Sequence, residues 1–88
     1  MRIRTLIVDD EPLARDRVKR FLRDESDIQI IGECGNGKEA VAAIQDRNPD
    51  LVFLDIQMPE KNGFEVVRSL DEDRMPAVIF VTAYDQYA

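Results

Sequence analysis

The sequence predicts an α/β fold, a doubly wound parallel sheet with helices on both faces. Two observations carry that expectation. Short apolar runs alternate with amphipathic stretches in the order βαβαβαβ, the pattern of strands joined by right-handed helical crossovers. Leu51-Val52-Phe53-Leu54 is continuously apolar, which suits a strand covered on both faces.

Each element has its own justification. Ile3 to Val8 reads as a strand that ends on charge. Pro12 to Arg23 carries Ala14, Val18, Phe21 and Leu22 on one helical face, and Asp10 or Glu11 followed by Pro12 starts a helix. Ile28 to Ile31 is a second short strand closed by Gly32, and Gly35-Asn36-Gly37 is a turn. Lys38 to Arg47, with Ala40, Val41 and Ile44, is a second helix that Asn48-Pro49-Asp50 stops. The third strand runs into Asp55, and Met58-Pro59 and Asn62-Gly63 punctuate the loop after it. Phe64, Val67 and Leu70 share one face of a third helix. Ala77 to Val81 is expected as a fourth, buried strand ending at Thr82. There is no repeat, low-complexity segment or linker.

Size and charge narrow the function. With 88 residues the chain holds one domain and a small core. Twelve basic against eighteen acidic residues give a net charge of −6, a poor surface for nucleic acid. One cysteine, Cys34, makes no internal disulfide, and packing is its expected role. The absence of histidine removes most zinc sites and Ser-His or Cys-His catalysis. Leu6-Ile7-Val8 is too short to cross a bilayer or act as a signal core. A cytoplasmic protein without membrane contact is expected.

In open parallel sheets the ligand site lies beyond the carboxyl ends of the strands. Asp9-Asp10, Asp55 and Thr82 occupy those ends, so three carboxylates and a hydroxyl are expected on one rim. Carboxylates about 4 Å apart repel by roughly 4 kcal/mol at an effective dielectric near 20. A hard divalent ion resolves the conflict, and Mg²⁺ fits an all-oxygen donor set. A carboxylate is also a nucleophile toward phosphorus, giving an acyl phosphate. Taken singly, each feature has a plainer reading. Asp9 and Asp10 cap the first helix, Asp55 and Thr82 end strands, and Lys38 and Lys61 are solvated charges. Their coincidence on successive strand ends favours the phosphoryl chemistry.

Val8-Asp9-Asp10-Glu11-Pro12-Leu13-Ala14-Arg15, Leu54-Asp55-Ile56-Gln57-Met58-Pro59 with Asn62-Gly63, and Phe80-Val81-Thr82-Ala83-Tyr84 resemble three motifs of response-regulator receiver domains. The wording of these motifs, with Thr82-Ala83-Tyr84-Asp85-Gln86-Tyr87-Ala88, is similar to the LytR/AlgR-type (LytTR) transcriptional regulators. The resemblance implies that Asp55 is the phosphoacceptor, with a sensor histidine kinase or phosphotransfer protein as donor. It implies Mg²⁺ held by Asp10 directly, by Asp9 mainly through water, by Asp55 and by the backbone carbonyl of Gln57. Thr82 would follow the phosphoryl group. The protein would be a switch that assists its own phosphorylation and dephosphorylation, rather than an enzyme acting on a separate substrate.

The resemblance also departs from the family at one end. Receivers continue through a further helix, a fifth strand and a fifth helix. The Lys that ends strand five has no counterpart here, since Lys19, Lys38 and Lys61 lie elsewhere. Tyr84 and Tyr87 do not occupy the place of the aromatic switch residue of strand five. Residues 1–88 therefore read as the N-terminal part of a receiver, truncated after strand four, with a DNA-binding domain expected in the longer protein. The family strand order 2-1-3-4-5 leaves Ala77 to Val81 as an open edge, so self-association is expected. Two other functions compete. A haloacid-dehalogenase-type phosphatase would carry Asp-x-Asp after its first strand, where this chain has Asp9-Asp10-Glu11. A pseudo-receiver would be an interaction module that is never phosphorylated.

Overall fold

The computed structural model describes residues 2–81. Their order is β1 (Ile3–Val8), α1 (Pro12–Leu22), β2 (Ile28–Cys34), α2 (Gly37–Arg47), β3 (Leu51–Asp55), α3 (Gly63–Arg68), a 3₁₀ turn (Glu72–Arg74) and β4 (Ala77–Val81). The strands form one parallel sheet in the order β2-β1-β3-β4, so the doubly wound expectation holds.

The two central strands explain the continuous apolar runs. Leu6, Ile7 and Val8 of β1 and Val52 and Leu54 of β3 are buried. Alternate side chains of each strand point to opposite faces. On one face Leu6, Val8, Val52 and Leu54 pack with Ala40 and Ile44 of α2 and with Val66 of α3. Cys34, Met58 and Leu70 complete that core. Cys34 is a buried free thiol, and burial pushes its pKa up, so it is a packing residue as expected.

Helix ends follow local chemistry. Pro12 stands in the first turn of α1 with Glu11 as N-cap, as the sequence predicts. The Asn36 side chain accepts from Glu39 N–H at 2.8 Å and starts α2, one residue earlier than expected. Asn48 ends α2 at φ 45°, a left-handed conformation that Asn tolerates. Asn62 and Glu65 close a capping box on α3. Asn62-Gly63 is therefore a helix start, and the left-handed residue of the preceding loop is Glu60, at φ 68°.

Four expectations need correction. β2 does not stop at Gly32 but runs on to Cys34. Its pairing with β1 shifts register between Thr5 and Leu6, which lets the strand continue past Gly32. Arg47 reaches over from α2 to donate to the Ile31 carbonyl at 2.7 Å, beside Gly32, where a Cβ would meet its guanidinium. Phe21 is 85% exposed on α1, whose only buried residue is Ala14. The face of α3 is rotated from the one expected. Val66 is fully buried, Leu70 is buried just past the helix end, and Phe64 is half-exposed. Finally, β4 is not the buried strand its apolar run suggests, and the open edge expected from the strand order is what is observed among the described residues. It stands at the sheet's edge among the described residues, with Ile79 and Phe80 well exposed. Among the described residues Phe80 packs with Phe64, at a ring-centroid distance of 5.0 Å. Among the described residues no helix is long and apolar enough to cross a membrane.

Candidate functional site: an acidic rim at the strand ends

The parallel register builds the site. Val8 pairs with Leu54, and the residues that follow them are Asp9 and Asp55. The two carboxylates therefore leave neighbouring strands at the same level. Asp10 is the next residue of the same loop. Carboxylate oxygens of Asp9, Asp10 and Asp55 all lie within 4.8 Å of one another. Asp9 and Asp55 are each 4% exposed, and Asp10 is exposed.

Backbone groups hold the two buried carboxylates. Asp9 Oδ1 accepts from Glu11 N–H at 2.9 Å, and Asp55 Oδ1 accepts from Gln57 N–H at 3.1 Å. The same local turn, a carboxylate bonded to the N–H two residues on, is thus repeated on adjacent strands. It follows that the Gln57 main chain lies at the rim. Asp9 does not cap the first turn of α1, and the N-cap residue Glu11 makes no side-chain capping bond.

The loop after Asp55 is pressed into place by two glycines. The Gly63 N–H donates to Ile56 O at 3.0 Å, and a Cβ at Gly63 would stand 2.5 Å from Asp55 O. A Cβ at Gly37 would meet Lys61 O at 2.6 Å, so α2 abuts the same loop. Lys61 is half-buried and donates to Ser69 Oγ at 2.8 Å, so it is tied down rather than freely solvated. Lys38 is exposed, as expected. Thr82 lies outside the described residues. Its neighbour Val81 pairs with Asp55 in register.

Electrostatics single out Asp55. Burial pushes its carboxyl up to about 6. The Gln57 N–H bond pulls the other way, while the nearby carboxylates of Asp9 and Asp10 add to the rise. An acid whose folded pKa is raised costs stability once it ionises. Between about 4 and about 6 the folded chain therefore holds a proton that the unfolded chain has lost. Without divalent cations, Asp55→Asn is expected to melt above the wild type at pH 7. The gap should close as the pH falls through about 6, and melting curves of both proteins from pH 4.5 to 7.5 check this. A gap that is constant over that range contradicts it.

The family model described as "Response regulator receiver domain" matches residues 5–88. The chain belongs to the response regulator receiver domain family. The receiver is 51% identical over 86 residues to the transcriptional regulatory protein BtsR of Escherichia coli K12, covering 98% of this chain and 36% of that protein. It is 50% identical over 86 residues to an uncharacterized response regulatory protein of Shewanella oneidensis, again covering 98% and 36%. The receiver thus spans about a third of the length of the curated relatives it matches. Among solved structures it resembles the signal receiver domain of NarL from Mycobacterium tuberculosis, with a TM-score of 0.84 and 30% identity. That match covers 97% of this chain and 69% of the other. The response regulator domain of Thermotoga maritima CheB gives a TM-score of 0.83 at 33% identity, covering 94% and 62%.

Two residues that matter to the rim's geometry were not singled out from the sequence. Arg15 donates to the Asp9 carbonyl, and Gly63 packs against the Asp55 carbonyl. Arg15 lies one α-helical turn beyond Glu11, so helical spacing was the signal available for it. Gly63 stood only within the Asn62-Gly63 pair of the loop motif, and its own role was hidden because its constraint is a tertiary contact.

Proposed function

We propose that this receiver takes a phosphoryl group on Asp55 and acts as a switch in two-component signalling, with a phosphohistidine of a sensor kinase as donor. The observation that carries the proposal is the cluster of Asp9, Asp10 and Asp55 oxygens within 4.8 Å at the ends of adjacent strands. In the transfer an Asp55 carboxylate oxygen forms the new P–O bond while the donor's P–N bond breaks. The imidazole leaves with that electron pair and takes a proton from solvent.

Asp9, Asp10, Asp55 and the backbone carbonyl of Gln57 are the groups assigned to Mg²⁺. The fit rests on the donor set. The cluster offers hard carboxylate oxygens with no His or Cys among them, and Asp55 is held up to about 6 by burial and by neighbouring negative charge that a cation would offset. When bound, the ion supplies positive charge against the phosphoryl oxygens. The chain's own contribution is to present Asp55 on a strand end, with one oxygen held by Gln57 N–H, and to keep water off the buried side. Thr82 is assigned to the phosphoryl oxygens on the resemblance and on its place one residue beyond Val81. The chain works as a switch, assisting gain and loss of its own phosphoryl group.

The longer protein is read as a transcriptional regulator of the LytR/AlgR type, whose DNA contacts lie in another domain. The name of BtsR, a transcriptional regulatory protein, supports the regulator reading, and the chain's net charge of −6 supports DNA contacts lying elsewhere. Localisation follows as cytoplasmic.

The test of the central proposal is intact mass after incubation with acetyl phosphate or phosphoramidate. One added phosphoryl group in the presence of Mg²⁺, and none with the ion chelated, is the expected result. An unmodified wild-type chain under both conditions is followed by the same assay on the longer parent protein, and an unmodified parent overturns the proposal in favour of a pseudo-receiver.

A further inference from the structure

We infer that Arg15 is a positioning residue for the acidic rim: its guanidinium clamps the peptide between Asp9 and Asp10 and so sets the aim of both carboxylates toward a divalent cation. The inference rests on the cation reading of the site given above.

The Asp9 main chain is held on both sides. Its N–H donates to the Cys34 carbonyl at 3.1 Å, the last rung that ties β1 to β2. Its carbonyl accepts from Arg15 Nη1 at 2.8 Å. That carbonyl belongs to the peptide that continues into Asp10. Fixing its plane limits rotation on either side, and with it the direction in which the Asp10 side chain leaves the loop. Asp10 needs such help more than Asp9 does. Asp9 is buried and bonded to Glu11 N–H, whereas Asp10 is exposed.

Arg15 is itself anchored. Its Nε donates to Glu33 Oε1 at 3.1 Å, and the second Glu33 oxygen accepts from Lys19 Nζ at 2.9 Å. The Lys19 bond is the leading cause that holds the Glu33 carboxyl below its ordinary pKa, so Glu33 stays charged. The guanidinium thus bridges the end of β2 and the loop after β1 from the first turns of α1. Both bonds use the fixed fork of donors that only arginine has. A lysine offers one compact ammonium and cannot hold Glu33 and the Asp9 carbonyl in the same geometry. Arg15 is one-fifth exposed, enough to keep water from competing freely for the carbonyl. It touches no carboxylate of the rim in any bond the structure shows, so its action is through the backbone.

The effect belongs to metal affinity rather than to the chemical step. Partners that orient metal-binding groups typically change affinity about 10–100-fold when removed. Mg²⁺ is titrated into the 88-residue chain by isothermal calorimetry. Arg15→Gln is expected to raise the Mg²⁺ Kd about tenfold, the lower end of that range because the clamp acts on one of the carboxylate-bearing loops. Arg15→Lys should move it the same way. Glu33→Gln, which loosens the anchor and leaves Arg15 in place, should raise it by less. Lys19→Ala loosens Glu33 without touching either Arg15 bond and should raise the Kd by no more than Glu33→Gln does. A second readout separates positioning from general damage. At saturating Mg²⁺, phosphorylation of Arg15→Gln by acetyl phosphate should recover the wild-type rate, because the loss lies in binding.

Wild-type Mg²⁺ affinity in both Arg15 variants overturns the inference and leaves the proposed function standing. A wild-type chain that binds no Mg²⁺ overturns the cation reading and the inference together. A loss of rate in Arg15→Gln that persists at saturating Mg²⁺ also overturns the clamp, since damage of that kind is not in binding. If circular dichroism shows Arg15→Gln unfolded, Arg15→Lys and Glu33→Gln decide the matter in the same titration.

Discussion

Asp55→Asn is expected to stay at its unmodified mass under conditions that add a phosphoryl group to the wild type, and to keep its fold while doing so. The carboxamide has the shape of the carboxylate, and its oxygen can still accept from Gln57 N–H, which now bonds Asp55 Oδ1 at 3.1 Å. What it lacks is the nucleophile, because an amide oxygen carries no charge to attack phosphorus. The loss should therefore be complete rather than graded. Burial at 4% exposure and the raised carboxyl say that the native charge here costs stability. A variant that is as stable as the wild type or more so, yet inert to phosphodonor, is the expected combination. An adduct that persists on Asp55→Asn would move the acceptor to another side chain, and peptide mapping would then test Asp9 and Asp10 first. Asp9→Asn and Asp10→Asn differ in kind. They remove cation-binding groups and should weaken the Mg²⁺ dependence while leaving the acceptor in place.

Gly63→Ala is expected to destabilise the chain by about 2–3 kcal/mol, as overpacking against an immovable neighbour does. For a chain of this size that is a fall in Tm of roughly 10–20 °C. The reason is a backbone contact. A Cβ at position 63 would lie 2.5 Å from Asp55 O, 3.1 Å from Ile56 Cα and 3.2 Å from Asp55 C, and none of these is the end of a flexible side chain. Either α3 moves away, exposing Val66 and Leu70, or the end of β3 moves and takes Asp55 with it. Both outcomes reach the site. The gain in helix propensity from Gly to Ala is about 1 kcal/mol at most and does not offset the clash. Gly35→Ala is the matched control, because a Cβ there meets only Arg15 Nη1, at 3.7 Å. Thermal melts of both variants check the pair. A Gly63→Ala chain that melts within about 2 °C of the wild type would mean the contact relaxes cheaply, against the cost expected of overpacking.

The order of elements was legible because each depends on signals within a few residues. Apolar runs mark β1 and β3, Pro12 marks a helix start, and Asn48-Pro49 marks a helix stop. Helix faces were less legible. Phe21 and Phe64 fall on the expected stripes of α1 and α3 but are exposed, while Val66, off the expected stripe, is fully buried. Periodicity says that a helix has an apolar side; which side is covered depends on how the helix lies on the sheet. Gly32 misled for a related reason. In isolation it reads as a strand end, yet the register shift opposite Thr5 and Leu6 carries β2 past it. The exposure of β4 follows from its place at the edge of the described sheet, which its own apolar composition does not reveal.

For the rim, the sequence alone determined which side chains stand at the strand ends, since Asp9, Asp10 and Asp55 each follow directly from where an apolar run stops. It also determined that their donor set is all oxygen. The tertiary structure decided the rest. Parallel register brings Asp9 level with Asp55, burial and the facing charges raise the Asp55 carboxyl, Gly63 admits α3 against its carbonyl, and Arg15 reaches across from α1 to the Asp9 peptide. The physical reason is range. A strand end is written in adjacent residues, whereas distance, desolvation and a side chain bridging three segments exist only once separate parts of the chain have packed together.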